Sequence, residues 1–108
     1  MTLHDDDMRL RHMLDYSHEA LELVKNRRRS DLDNDRVLEL ALVRLLEIIG
    51  EAASRVSEEG RERNPEIPWP QIISLRNRLI HGYDSIDMDV LWEILQGDLP
   101  ALISKLEK

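Results

Sequence analysis

A chain of 108 residues, 42% hydrophobic and 34% charged, has room for one soluble domain with a modest core, and with no Phe that core must be filled by Leu, Ile and Val. The absence of Cys excludes disulfides and thiolate metal sites and points to a reducing cytoplasm. A net charge of −7 excludes a broadly basic nucleic-acid surface, so any such contact has to be local, at islands such as "KNRRR" (25–29) and "RNR" (76–78).

In chain order, the acidic start "MTLHDDDM" is no secretory signal, and no apolar run approaches the ~18 residues of a membrane span. "HDDD" reads as a frayed acidic helix start, where carboxylates suit the helix dipole, and not as a metal site. Leu10, Met13, Leu14, Leu21 and Val24 recur with a helical period and predict a first helix over about 5–28, ending in the basic "KNRRR". His12 and His18 lie on it without paired ligand spacing and read as structural or surface residues. "SDLDND" then supplies N-cap formers for a second helix over about 35–57. Its broad apolar face, Val37 and Leu38 through Leu42, Leu45, Ile49, Ala52 and Val56, marks it as central.

The longest connection, "EEGRERNPEIPWP", is punctuated by Gly60, Pro65, Pro68 and Pro70. A third helix is expected from Pro70 to His81 with Gly82 as its left-handed C-cap, and Trp69 packing near its start. "DSID" opens a last helix over about 87–106, carrying Trp92, which Pro100 should kink or split. With no alternating strand pattern, the expected fold is all-α: an antiparallel bundle of four main helices in one domain spanning 1–108.

One stretch, "RNRLIHGY" (76–83), departs from the pattern. At 100° per residue Arg76 falls inside the apolar arc of Ile72, Ile73, Leu75, Leu79 and Ile80, so it should be partly buried and paired. Arg44, Glu47, Glu51 and Arg55 follow at three- and four-residue steps on the second helix. They form either a solvated stripe or a polar seam facing Arg76 or a second subunit. Arg76 offers a permanent charge shaped for phosphate oxygens, and His81 can move a proton near neutral pH. RNA brings its own 2′-hydroxyl nucleophile, so one Arg and one His suffice for cleavage without a metal, and a second copy across a twofold axis would supply both base and acid.

Arg76-Asn-Arg-Leu-Ile-His81-Gly-Tyr83 resembles the R-x4-H-x-Y motif of HEPN-domain proteins, specifically the HepT-like toxins of toxin–antitoxin pairs. Asn77 matches the polar residue often found after the motif arginine in that family. "RLRHMLDYSHEALE", "ALVRLLEIIGEAASRVSEE", "NPEIPW" and "LWEILQGDLPALISKLE" extend the likeness, in order, over nearly the whole chain. The resemblance implies a HEPN-like helical bundle that forms a homodimer through its motif faces, a metal-independent endoribonuclease without cofactor. It further implies an RNA substrate and a nucleotidyltransferase (MntA-like) antitoxin that transfers AMP to Tyr83. In this scheme Arg76 and His81 are catalytic, while Asn77, Arg78 and Tyr83 support or contact substrate. The apolar surface of the second and last helices leaves room for assembly beyond a dimer. A rival reading of the same residues, better suited to the acidic charge, is a non-catalytic helical module that binds a nucleotidyltransferase or a nucleotide.

Overall fold

The computed structural model describes residues 3–108, with side chains from residue 5 onward, so Met1, Thr2 and the side chains of Leu3 and His4 lie outside it. It is all-α: α1 (Leu3–Leu23), α2 (Asp31–Asn34), α3 (Arg36–Ser54), α4 (Glu58–Glu62), α5 (Trp69–Ile73), α6 (Leu75–Leu79), α7 (Met88–Glu93), a π-helical segment (Ile94–Asp98) and α8 (Leu99–Leu106). Among the described residues the only β pairing is an isolated antiparallel bridge between Ile80 and Ile86. No helix among them is long and apolar enough to cross a membrane.

α1 and α3 form the most extensive helix–helix contact. Asp6, Met13, Ser17 and Ala20 are the buried stripe of α1, recurring at helical steps and continued by Val24 just past its end, and Leu42, Leu46, Ile49 and Ala53 are fully buried on α3. Each Leu or Ile buried this fully stabilises the fold by about 1.5–3 kcal/mol relative to an exposed position. α3 also carries α5 and α6 on its other side, while α8 returns against α1.

Several sequence expectations need correction. The first helix ends at Leu23, because Asn26 adopts φ 64°, a left-handed conformation Asn tolerates better than most residues. "KNRRR" is therefore turn and loop, tied down by Arg27–Asp35 at 3.3 Å and by Arg29 to Asp33 and Asp89. The third helix is broken at Ser74, whose hydroxyl donates back to the Pro70 carbonyl at 2.8 Å and competes with the helical ladder. It ends at Leu79, not His81, and no glycine takes a positive φ, so Gly82 is no left-handed cap. The last helical run is divided just before Pro100, as expected, but by a change of helix type and not by a stop. The turn before it widens to π geometry, with the Leu99 amide donating to the Ile94 carbonyl, which accommodates a residue lacking an N–H. A short α4, absent from the sequence reading, fills part of the long connection.

The acidic start is not frayed at Asp6. Its buried carboxylate accepts hydrogen bonds from the Ser57 amide at 2.9 Å and the Ser57 hydroxyl, and that hydroxyl in turn accepts from the Gly60 amide at 3.0 Å, capping α4. A Cβ on Gly60 would lie 2.6 Å from Asp6 Oδ2 and 2.8 Å from Val56 Cγ1, so glycine is required for this approach. Replacing Gly60 with Ala is expected to cost about 1–3 kcal/mol of unfolding free energy, measured by urea denaturation.

Three buried or capping carboxylates set the acid limit of stability. The Ser57 hydroxyl and then its amide hold Asp6 below the ordinary carboxylate value of 3.8, the Leu38 amide does so for Asp35, and the Val90 amide for Asp87. A depressed folded pKa contributes stability that is complete above the unfolded value and lost as pH falls through the folded one. Urea midpoints should therefore drop steeply below about pH 4, and Asp6→Asn should lower the midpoint near neutrality while flattening that acid slope.

Candidate functional site

The motif residues are positioned by two features, the seating of α5–α6 on α3 and a tight loop after α6. At Gly50 a Cβ would meet the carbonyl oxygens of Ile72 and Ile73, each at 3.2 Å, so α3 and α5 approach as closely as a side chain of hydrogen allows. One turn earlier on α3, Glu47 receives Arg76 from α6, Nε to Oε2 at 3.0 Å, and also pairs with Arg44 at 2.7 Å. The Arg76 side chain is nonetheless 51% exposed. The break at Ser74 and the departure of Ile80 from the helix interrupt the continuous apolar arc that would have sheltered it.

Beyond Leu79 the chain folds back on itself. The Asp87 amide donates to the Leu79 carbonyl at 2.8 Å, Ile80 bridges Ile86, and the His81 amide donates to the Ser85 carbonyl at 3.0 Å. His81 thus lies past the helix end, in a bend over 81–84, and is not governed by a helix C-terminus. Its Nε2 stands 3.3 Å from Asp87 Oδ2, with the ring side chain 67% exposed. The other Asp87 oxygen accepts from the Asp89 and Val90 amides, both at 3.1 Å, capping α7. The Val90 amide chiefly, helped by the Asp89 amide and the His81 ring, keeps this carboxyl below the usual range, so it is charged at neutral pH.

Two open clefts meet at Arg76. One, of about 220 Å³, runs past Arg36, Leu40, Val43, Ile80, Gly82 and Tyr83; the other, of about 320 Å³, past Glu47, Gly50, Glu51, Ser54 and Asn77. Tyr83 is fully exposed at the tip of the loop. Leu40 at 52% exposure and Ile80 are apolar residues on the wall of the first cleft, and Val37, 77% exposed, lies three residues before Leu40 on α3. Arg78 turns away: it pairs with Asp98 of the π segment at 2.8 Å, both side chains largely shielded. Glu51 pairs with Arg55 at 3.1 Å and does not reach Arg76. Arg76 and His81 are therefore held by different carboxylates, Glu47 and Asp87.

Of these carboxylates, Glu47 stood out in the sequence as part of a charged stripe, whereas Asp87 read only as a helix start. Its signal was "IHGYDSID", in which turn-forming Gly, Asp and Ser lie between two β-branched residues, the pattern of a short hairpin-like reversal. Among the described residues no group of three or more His, Asp or Glu side chains gathers as metal ligands.

This arrangement can hold a phosphate on Arg76 and move a proton at His81. Comparison with known proteins gives the same direction. The family model described as Ribonuclease HepT-like matches residues 13–108. "Probable ribonuclease HepT" of Thermococcus cleftensis is 38% identical over 94 residues, covering 83% of this chain and 86% of that protein. "Putative RNase MJ1380" of Methanocaldococcus jannaschii is 35% identical, covering 88% and 87%. "Putative RNase TTE0752" of Caldanaerobacter subterraneus is 35% identical, covering 92% and 88%. No solved structure matches the chain.

Because Glu47 competes with any anion for the Arg76 fork, removing its charge should strengthen anion binding. Glu47→Gln is expected to tighten binding of a short oligoribonucleotide by up to roughly fivefold, the worth of one exposed ion pair, read by fluorescence anisotropy at low salt.

Proposed function

The chain belongs to the HepT-like ribonuclease family, and we propose that it is a metal-independent endoribonuclease, the toxin of a toxin–antitoxin pair, acting through Arg76 and His81. The observation that carries this reading is the position of Arg76, which lines both clefts and so can hold one phosphate with a nucleotide on either side. His81 stands between two residues, Ile80 and Gly82, that line the first of them.

The 2′-hydroxyl of RNA attacks the adjacent phosphorus. A bond from the 2′-oxygen to phosphorus forms and the bond to the 5′-oxygen breaks, leaving a cyclic phosphate and a 5′-hydroxyl. His81 accepts the 2′-hydroxyl proton, and the Arg76 guanidinium stabilises the crowded, doubly negative phosphorane. The leaving 5′-oxygen needs a proton of its own, which the His81 of a second copy supplies in a homodimer paired through the motif faces. The exposed Leu40 and Ile80 of the first cleft wall, with Val37 of α3, support such pairing, since apolar side chains so exposed gain from being covered. Asn77, on the wall of the second cleft, contacts the substrate backbone or a base edge.

Control falls to Tyr83. A nucleotidyltransferase antitoxin transfers AMP to it: the phenolic oxygen attacks the α-phosphorus of ATP and pyrophosphate leaves. Full exposure of the ring makes its oxygen reachable by a second enzyme, and a phosphate beside Arg76 would then occupy the substrate's place and repel RNA.

The test is cleavage of RNA by unmodified protein, its mass verified, in excess EDTA. Arg76→Ala and His81→Ala should each lower kcat/KM by at least about 100-fold, in keeping with loss of an acid–base group or of a charged transition-state contact. Both residues are exposed, so unfolding midpoints should stay near wild type. Equal cleavage by wild type and His81→Ala would reject His81 as the proton-transfer group, whereas no cleavage by the wild type would favour a non-catalytic module that binds the nucleotidyltransferase.

A further inference from the structure

Arg76, Arg78 and His81 each have a carboxylate partner, and that of His81 is itself held by backbone amides. Asp87 belongs to a closed frame. Its amide is bonded to Leu79, its Oδ1 accepts two amides of α7, and Ile86 just before it is bridged to Ile80 just before His81. His81 pairs with Ser85 in this frame, so Asp87, two residues on, is its diagonal neighbour. That diagonal is within reach of an imidazole, and the 3.3 Å contact spans it. The Asp87 side chain is 31% exposed against 67% for His81, so the carboxylate is the fixed member and the ring the one that would otherwise turn freely.

We propose that Asp87 is the positioning residue of His81, capping α7 with one oxygen and holding the imidazole Nε2 with the other, so that Nδ1 is the nitrogen presented to substrate. This rests on the reading of His81 as the proton-transfer group. Nε2–H donates to Oδ2, which leaves the Nδ1 lone pair free to accept the proton of the 2′-hydroxyl. When Nδ1 takes that proton, the resulting imidazolium sits against a carboxylate already charged and held by backbone amides. Without Asp87 the ring samples both tautomers and several rotamers, and only a fraction of molecules has the basic nitrogen aimed into the cleft.

Asp87 also caps a helix, so the substitutions must separate the two duties. Asn and Ser cap helices about as well as Asp. Asn would offer His81 an amide N–H in place of a carboxylate oxygen, favouring the Nδ1–H tautomer, and Ser is too short to reach the ring. Asp87→Asn and Asp87→Ser are each expected to keep the unfolding midpoint while lowering kcat about 10- to 100-fold, part of the full acid–base contribution, with KM within about twofold. Asp87→Glu, which reaches the ring from a poorer cap, should recover part of kcat. Nitrogen-15 spectra of the His81 ring should show protonation at Nε2 in the neutral wild-type form and a shift toward Nδ1 in Asp87→Asn. Wild-type kcat in both Asn and Ser variants, with His81→Ala inactive, would overturn the positioning role and leave the ribonuclease reading standing. An unchanged ring tautomer in Asp87→Asn would overturn it as well. Full cleavage by His81→Ala would overturn the proton-transfer assignment of His81, and the positioning role with it.

Discussion

The contact of Gly50 with the carbonyl oxygens of Ile72 and Ile73 is the constraint on which the arrangement of this molecule depends. A glycine in the middle of a helix gives up about 1 kcal/mol of helix propensity relative to alanine, and α3 bears that loss at its most buried stretch. The return is proximity. With no side chain between them, α5 lies directly on α3, and the residues that follow inherit the spacing. Leu75 and Leu79 are fully buried, and Arg76 comes within reach of Glu47 one turn away from the glycine. A Cβ at this point would press on those carbonyl oxygens and require a shift of a few tenths of an ångström in the segment that carries Arg76.

From that anchor the site is built by backbone, not by a rigid helix. α6 is only five residues long, and the chain then reverses through a loop closed by three successive pairings, 79 with 87, 80 with 86 and 81 with 85. Such a loop exposes His81 and Tyr83 without leaving them on a floppy segment. It also separates the duties of neighbouring residues, since Ile86 packs against the core while Ile80 and the polar residues of the loop stay exposed. Arg76 and His81 are not bonded to one another. Each is held by its own carboxylate, so substrate can enter between them.

Much of this was legible in the sequence and some of it was not, for identifiable reasons. Hydrophobic periodicity marked α1, α3 and the last helical run because each has a long one-sided face, and the motif stood out because an arginine interrupted such a face. The end of α1 was missed because Asn26 looked like an ordinary polar helix residue, and its left-handed backbone is not encoded by period. The third helix was drawn too long because its apolar spacing continues to Ile80, although Ser74 diverts its hydroxyl into the ladder and the last isoleucine serves a bridge. Pro100 marked the division of the last run, but not its form, a π turn that absorbs the proline where flanking residues such as Ile94, Leu95 and Leu99 are well buried. Asp6 and Asp87 were the costliest omissions. An acid near a helix start is commonplace, and only the fold reveals that each also holds a residue distant from its own helix turn.

The ion pairs also reconcile an acidic chain with a polyanionic ligand. Of the arginines near the motif, Arg44 and Arg76 share Glu47, and Arg78 is committed to Asp98. These differ in availability. The Arg78–Asp98 pair is largely shielded, so breaking it would strand a charge in a poorly hydrated place, and it serves the joint between α6 and the π segment. The Arg76–Glu47 pair is half open to water, where such a pair is worth only about 0.2–1 kcal/mol. A phosphate can therefore displace Glu47 at little cost, and Glu47 keeps a pairing with Arg44 when it is displaced. The negative surround then acts as a filter. The net charge repels a polyanion over much of the surface, and Arg76, where the two clefts meet, is a place where an arginine can be released to receive it.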